Sequence, residues 1–148
     1  MREILFRGKR IDNSEWVYGF FTPSMNARSY VTTDKIYKYD ASIVFVDNDQ
    51  YATFAKVNEE TVGQYTGLTD RHQKKIFEGD IVRYAIYPPA KFVYGVVNYK
   101  DGVFRIGDQG CALCVCAADG IEEYRLEVIG NIHDNPELLQ QHKNPKEE

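Results

Sequence analysis

The chain has 148 residues, 43% of them hydrophobic, with a formal net charge of −4. That length holds one ordinary domain or two very small ones, and the apolar fraction is enough for a packed core. The acidic balance argues against a general nucleic-acid binder, which needs a positive footprint, and no apolar run approaches the roughly 20 residues that cross a bilayer.

Tyrosine and phenylalanine dominate the apolar set, both favour strands, and the long helix-period stretches of a bundle are missing. A mainly β protein is therefore predicted. The start, MREILFRGKR, lacks the uninterrupted apolar core of a secretion signal, so a cytoplasmic location is expected. Ile4, Leu5 and Phe6 open a first strand, which Arg7 to Arg10 continue as a polar, exposed edge. With Arg2, the basic residues Arg7, Lys9 and Arg10 could form a local patch; the plainer reading is a solvated strand face. Asp12, Asn13, Ser14 and Glu15 make a turn.

Residues 16–22, WVYGFFT, form a strand that is apolar on both faces, with Trp16, Tyr18 and Phe20 on one side and Val17 and Phe21 on the other. Such a strand is normally central in a sheet or covered by another element. Residues 23–27 end it. Further strands are predicted at 29–33, 42–46 and 51–56, with a turn at Asp47, Asn48 and Asp49. Residues 34–40, with Tyr37 and Tyr39 among charges, suit strand, loop or helical turn equally.

The middle stretch, VNEETVGQYTGLTDRHQKKIFEGDIV over 57–82, joins the two halves. Residues 60–65 read as a strand interrupted by Gly63, and 66–75 as a polar, turn-rich connection. Gly79 can supply a turn residue with positive φ, and Asp80 a carboxylate that caps backbone donors. Tyr65, Asp70, Glu78 and Asp80 are the candidate binding residues, although shaping turns is the plainer role for the three acids.

In the second half, residues 81–87 form a strand with Val82, Tyr84 and Ile86 on one face, ended by Pro88 and Pro89. Asp101-Gly102 between two alternating runs is a strong hairpin signal. A two-residue turn there sets Tyr99 opposite Phe104 and Val97 opposite Ile106 on one face, with Asn98 and Arg105 on the other. A one-residue slip would expose the aromatic pair, so burial fixes the register. Residues 110–118 are small and apolar, and Asp119-Gly120 is another turn. Residues 124–132 form a strand with Leu126 and Val128 facing inward. Asn135 and Pro136 mark the start of a short helix, and the polar tail beyond it is expected to fray. Four to five short strands from 76 to 132, joined by tight hairpins, fit a small SH3-like barrel, which leaves few exposed edges.

Three blocks, REILFRGKRIDNSEWVYG, VGQYTGLTDRHQKKIFEGDIV and EVIGNIHDNPELL, resemble the signature blocks of the YopX family, in order and over about residues 2–139. The resemblance implies a β-rich protein with an SH3-like C-terminal barrel, encoded by a phage or prophage. It implies no activity. Family turns in the first two blocks often carry Asn-Gly, whereas Asn13-Ser14 and His72-Gln73 stand here. Without glycine a tight type I′ turn is less comfortable, so longer or bulged loops are expected.

Cys111, Cys114 and Cys116, with His133, raise the question of a zinc site. Their spacing suits strand alternation, the second pair of a CxxC…CxxC arrangement is missing, and small buried cysteines are common. They are read as core, so no metal and no cofactor is expected. No GxSxG elbow, HExxH or phosphate loop is present, and the acid pairs Glu59-Glu60 and Glu122-Glu123 would point apart on a strand. A non-enzymatic protein is expected.

The prediction is a mainly β chain: an N-terminal β-rich region (1–66) packed with a C-terminal SH3-like small barrel (67–135), then a short helix and tail (136–148). Its expected role is that of a phage-derived accessory protein acting by protein binding and self-association, with no membrane and with phage or host proteins as partners. The alternatives are a nucleic-acid-binding module using a local basic face and an enzyme with an unrecognised site.

Overall fold

The computed structural model describes residues 3–28, 36–46, 51–86, 91–107 and 126–142. The chain is mainly β, and it divides into two units, Met1–Gln64 and Tyr65–Glu148.

In the first unit the strands are β1 (Phe6–Lys9), β2 (Trp16–Thr22), β3 (Met25–Arg28), β4 (Ile36–Tyr39), β5 (Ser42–Val46) and β6 (Ala52–Lys56). A sheet runs in the order β6-β5-β2-β1, and Gly63 and Gln64, which open β7 (Gly63–Thr69), pair with the far side of β1. β3 and β4 form a separate antiparallel pair. Period-2 alternation sends Val17, Ile43, Ala55 and Val57 into one buried cluster, against which Phe6, Phe21, Phe45 and Val62 pack. The Phe6 and Phe21 rings lie 5.7 Å apart in that layer. A Cβ at Gly19 would lie 2.0 Å from the Val44 carbonyl oxygen, so only glycine lets β5 approach β2 there.

In the second unit, β7 continues and pairs with β8 (Lys75–Phe77), while β9 (Asp80–Ile86), β10 (Lys91–Lys100), β11 (Val103–Ile106) and β12 (Glu127–Asn131) form a sheet in the order β11-β10-β9-β12. Helix α1 (Glu137–His142) follows the Asn135-Pro136 start. The core is Ile76, Val82, Val97, Ile106, Leu126 and Val128, with Leu68, Tyr84 and Phe104 packed against it. Among the described residues no sheet closes on itself, and no helix is long and apolar enough to cross a membrane.

The hairpin register is the one expected: Val97 faces Ile106, Asn98 faces Arg105 and Tyr99 faces Phe104. Asp101 (φ 54°) and Gly102 (φ 82°) both take the left-handed conformation that a type I′ turn requires. Burial is uneven along that face. Val97 and Ile106 are buried, whereas Tyr99 is 57% exposed, its ring meeting Phe104 edge-on at 5.1 Å.

Several expectations are corrected. Arg7 to Lys9 are not an exposed edge: β1 lies between β2 and the start of β7, and Arg7 and Gly8 are buried. The Arg7 guanidinium sits 4.7 Å from the centre of the Trp16 ring, so this cation packs on an aromatic face instead of standing in water. Residues 25–28 begin a new hairpin strand rather than merely ending β2. Glu59–Thr61 is a 3-10 turn capped by the Asn58 side chain, and strand begins only at Gly63. It then continues through Thr69, where a turn-rich connection was expected, because the Thr66 hydroxyl donates to the Ile76 carbonyl and accepts from the Leu68 N–H. The strand expected at 29–33, the turn at 47–49 and the segment 108–125, with its three cysteines, lie outside the described residues.

The turns that lack glycine are longer than a two-residue type I′ turn, as expected: the Arg10 N–H to Glu15 carbonyl bond closes over residues 11–14, and the Asp70 N–H to Lys74 carbonyl bond over 71–73. Ser14 (φ 60°) and Gln73 (φ 64°) take the left-handed conformation themselves, with Ser14 N–H donating to the Arg10 carbonyl and Gln73 N–H to that of Asp70. A side chain there costs about 1–2 kcal/mol relative to an unstrained residue. Ser14→Gly and Gln73→Gly should therefore each stabilise the protein by about 0.5–1 kcal/mol in urea denaturation, the strain relief being partly offset by glycine's freedom in the unfolded chain. Phe104→Ala should cost about 2 kcal/mol in the same measurement, less than the roughly 3–5 of a fully buried phenylalanine.

Candidate functional site

The core of the first unit takes one face of its sheet, and the other face carries large apolar side chains in solvent. Registers across β2, β5 and β6 place Phe20 opposite Val44 and Val44 opposite Phe54. These three residues form one row across three strands. Phe20 is 66% and Phe54 68% exposed, while Val44 between them is half-buried. Val46, two residues along β5, is 68% exposed on the same face, and Tyr18, two residues before Phe20, is 48% exposed. Strand β2 is thus apolar on both faces with only one of them buried, and the described residues form no covering layer over the row. Contiguous exposed apolar side chains on ordered strands mark an interaction surface more often than scattered single ones do.

The four residues singled out from the sequence lie elsewhere, in the second unit. Asp70 is buried, and both its oxygens are committed to the main chain: Oδ1 accepts from the N–H groups of His72 (2.8 Å) and Lys74 (2.9 Å), and Oδ2 from that of Val128 (3.0 Å). The same turn donates its Arg71 N–H to the Leu126 carbonyl. One carboxylate therefore shapes the turn between β7 and β8 and ties it to β12. Asp80 is buried at the start of β9, where its Oδ2 accepts from the Phe77 N–H at 2.8 Å across a turn whose Gly79 has φ 80°. Glu78 is half-buried in that turn. Tyr65 is buried with its ring 5.5 Å from that of Phe77 and the Lys75 ammonium 5.1 Å from its centre. Asp70 and Asp80 do their work on backbone donors, and a ligand would have to displace those bonds.

A family model described as YopX protein matches residues 5–140. The chain belongs to the YopX family. A crystal structure of protein EF1440 from Enterococcus faecalis is similar with a TM-score of 0.51 and 22% sequence identity, over 94% of this chain and 99% of that one. At that identity the likeness concerns the fold alone. No curated protein matches the chain.

In the first unit, a concave surface of about 550 Å³ is lined by Lys9, Arg10, Ser24, Asp40, Asn58 and Glu59, among others. Several of its polar groups already have partners. Arg10 binds Asp12 at 2.6 Å, Lys56 binds Asp40 at 2.8 Å, and the Ser24 hydroxyl donates to Glu59 at 3.0 Å. The Arg10 hydrogen bond holds the Asp12 carboxyl below its ordinary pKa, and Asp40 holds the Lys56 ammonium above its own. Arg7 and Lys9 both lie against the Trp16 ring, and Arg2 lies outside the described residues. Among the described residues no group of three or more His, Cys, Asp or Glu side chains could hold a metal ion. Cys111, Cys114 and Cys116 lie outside those residues.

Sequence reasoning set Tyr18 and Phe20 on one face but missed Phe54 and Val44 as their neighbours. The alternation Ala52-Phe54-Lys56 carried the signal for Phe54, but the cross-strand registers that join it to Phe20 are long-range.

Removing the Asp70 carboxylate leaves three backbone donors without their acceptor, at about 1–3 kcal/mol for each one that water cannot reach. Asp70→Ala should therefore destabilise the second unit by about 3–5 kcal/mol in chemical denaturation, with Asp70→Asn intermediate because its remaining oxygen keeps one side of the network.

Proposed function

We propose that the protein is a non-enzymatic, phage-derived accessory protein that works in the cytoplasm by protein contact, including contact between its own copies. The observation that carries this reading is the row Phe20–Val44–Phe54, apolar and exposed on ordered strands. A chain with net charge −4, whose basic residues Arg7, Lys9 and Arg10 are engaged by Trp16 and Asp12, offers weak footing for a nucleic-acid backbone. The acids Asp70 and Asp80 are buried and accept from main-chain donors, which favours a binding role over an enzymatic one. Phage origin rests on the family to which the chain belongs.

We also read the second unit as an SH3-like small barrel. Its support is the run of short antiparallel strands β7 to β12, joined by the tight turns at Gly79 and Asp101-Gly102 around one core.

The test is light scattering on the purified chain beside a fluorescence titration with mixed-sequence DNA and RNA at low and moderate salt. A mass above that of one chain, with no saturable nucleic-acid binding, is the expected result. A strict monomer that binds nucleic acid at about micromolar affinity or tighter, with affinity falling steeply as salt rises, would refute it and promote the nucleic-acid reading.

A further inference from the structure

We propose that the outer face of the β6-β5-β2 layer is a two-fold interface between copies of this chain, in which a phenylalanine of each copy seats over Val44 of the other. The inference rests on the self-association reading above and assigns it a surface and a geometry.

Shape is the first argument. Across the three strands the row reads large, small, large: Phe20, Val44, Phe54. Neighbouring strands lie about 4.8 Å apart, so the two phenylalanines stand about 10 Å apart with a valine-floored trough between them. A second copy turned over about an axis parallel to the strands, and displaced by one strand, puts its Phe20 over the first copy's Val44. The same operation puts the first copy's Phe20 over the second copy's Val44. That is the condition for an isologous contact, in which one pair of residues meets twice. Pairing Phe54 with Val44 satisfies the symmetry equally, so the trough rather than either ring defines the contact.

Area is the second argument. Phe20 and Phe54, each about two-thirds exposed, offer roughly 130 Å² apiece. Adding Val46 and Tyr18 brings the apolar area to roughly 450 Å² per copy from four side chains. A specific interface needs about 1,000 Å² in total, or about 500 Å² from each partner, and the surrounding residues of three strands supply the remainder. Charge is the third. The row itself holds no ionisable group, and Lys56, two residues along β6, is paired with Asp40 at 2.8 Å. The cations that share this face on β1 stand aside from the row: Arg7 is buried beside Tyr18, and both Arg7 and Lys9 lie against the Trp16 ring. Two identical faces can therefore meet without opposing like charges across the centre, where repulsion would be most costly.

The experiment is sedimentation of the full chain from about 1 to 100 µM, for the wild type, Phe20→Ser with Phe54→Ser, and Val44→Phe, with far-UV circular dichroism and a thermal melt on each. The wild type should sediment as a dimer in this range. Truncating a central aromatic anchor costs about 2 kcal/mol or more, so losing the phenylalanine that seats over Val44 should weaken dimerisation by at least about thirty-fold, and the double variant, which removes both candidates, by at least as much. Val44→Phe fills the trough and should also weaken it while leaving the melt nearly unchanged, since the side chain points away from the core. If the double variant loses its thermal transition, the single variants Phe20→Thr and Phe54→Thr, which keep strand preference, test the same contact. A dimer that persists undiminished in every folded variant would overturn the assignment of this face while leaving self-association standing. A wild type that stays monomeric throughout would overturn the self-association reading and this inference with it.

Discussion

A strand hands alternate side chains to opposite faces, and in the first unit only one face of the sheet has a core to fill. Val17, Ile43, Ala55 and Val57 account for that core, with Phe6, Phe21, Phe45 and Val62 around it. The intervening positions carry Phe20, Val44, Val46 and Phe54, residues that would serve equally well inside. Exposing two phenylalanines and a valine by about two-thirds each forgoes several kcal/mol of burial at roughly 25 cal/mol per Å². Those side chains stand in water in the single chain, and burying them would recover that free energy. The proposed interface is the arrangement in which another copy of the same row returns it.

The second unit follows the opposite logic, with polar groups held inside. Asp70 and Asp80 are both buried, and each accepts hydrogen bonds from main-chain donors that would otherwise be stranded at a turn. A buried carboxylate is costly unless its oxygens are engaged, and here the engagement also fixes geometry. Through Oδ2, Asp70 reaches the Val128 N–H, 58 positions along the chain, so a local turn becomes a fastening for β12. Asp70 thus serves both its own turn and β12, while Asp80 serves the β8–β9 turn.

Local features were legible because local chemistry determines them. The β10–β11 register follows from Asp101-Gly102 and the alternation on either side, and the β8–β9 turn follows from Gly79 and Asp80. What depended on distant pairing was not legible. β1 looks like an edge because Arg7 and Lys9 are charged, yet β1 sits between two strands and packs its cations on Trp16. Thr66 to Thr69 look like a loop because they are polar, yet the Thr66 hydroxyl meets a carbonyl in the facing strand. The candidate surface was half legible for the same reason. The face holding Tyr18 and Phe20 follows from period 2, whereas the row that unites Phe20, Val44 and Phe54 exists only once three strands are in register.

Ser14 and Gln73 bear on how far family patterns can be carried onto one chain. Both stand where the family resemblance sets a glycine, and both adopt the left-handed backbone conformation that glycine takes most easily. The turns are kept by flanking hydrogen bonds, such as Arg10 N–H to the Glu15 carbonyl at 2.9 Å and Asp70 N–H to that of Lys74 at 2.8 Å. Those bonds, together with the Asp70 carboxylate in the second turn, hold a residue in a region that it would leave if released. Backbone geometry is thus what these two turns require, and a residue other than glycine meets it at a cost of about 1 kcal/mol. The exposed row is under a different constraint: among the described residues Phe20 and Phe54 belong to no turn and no buried cluster. Inside one chain the two rings serve only strand preference and their cross-strand contact with Val44.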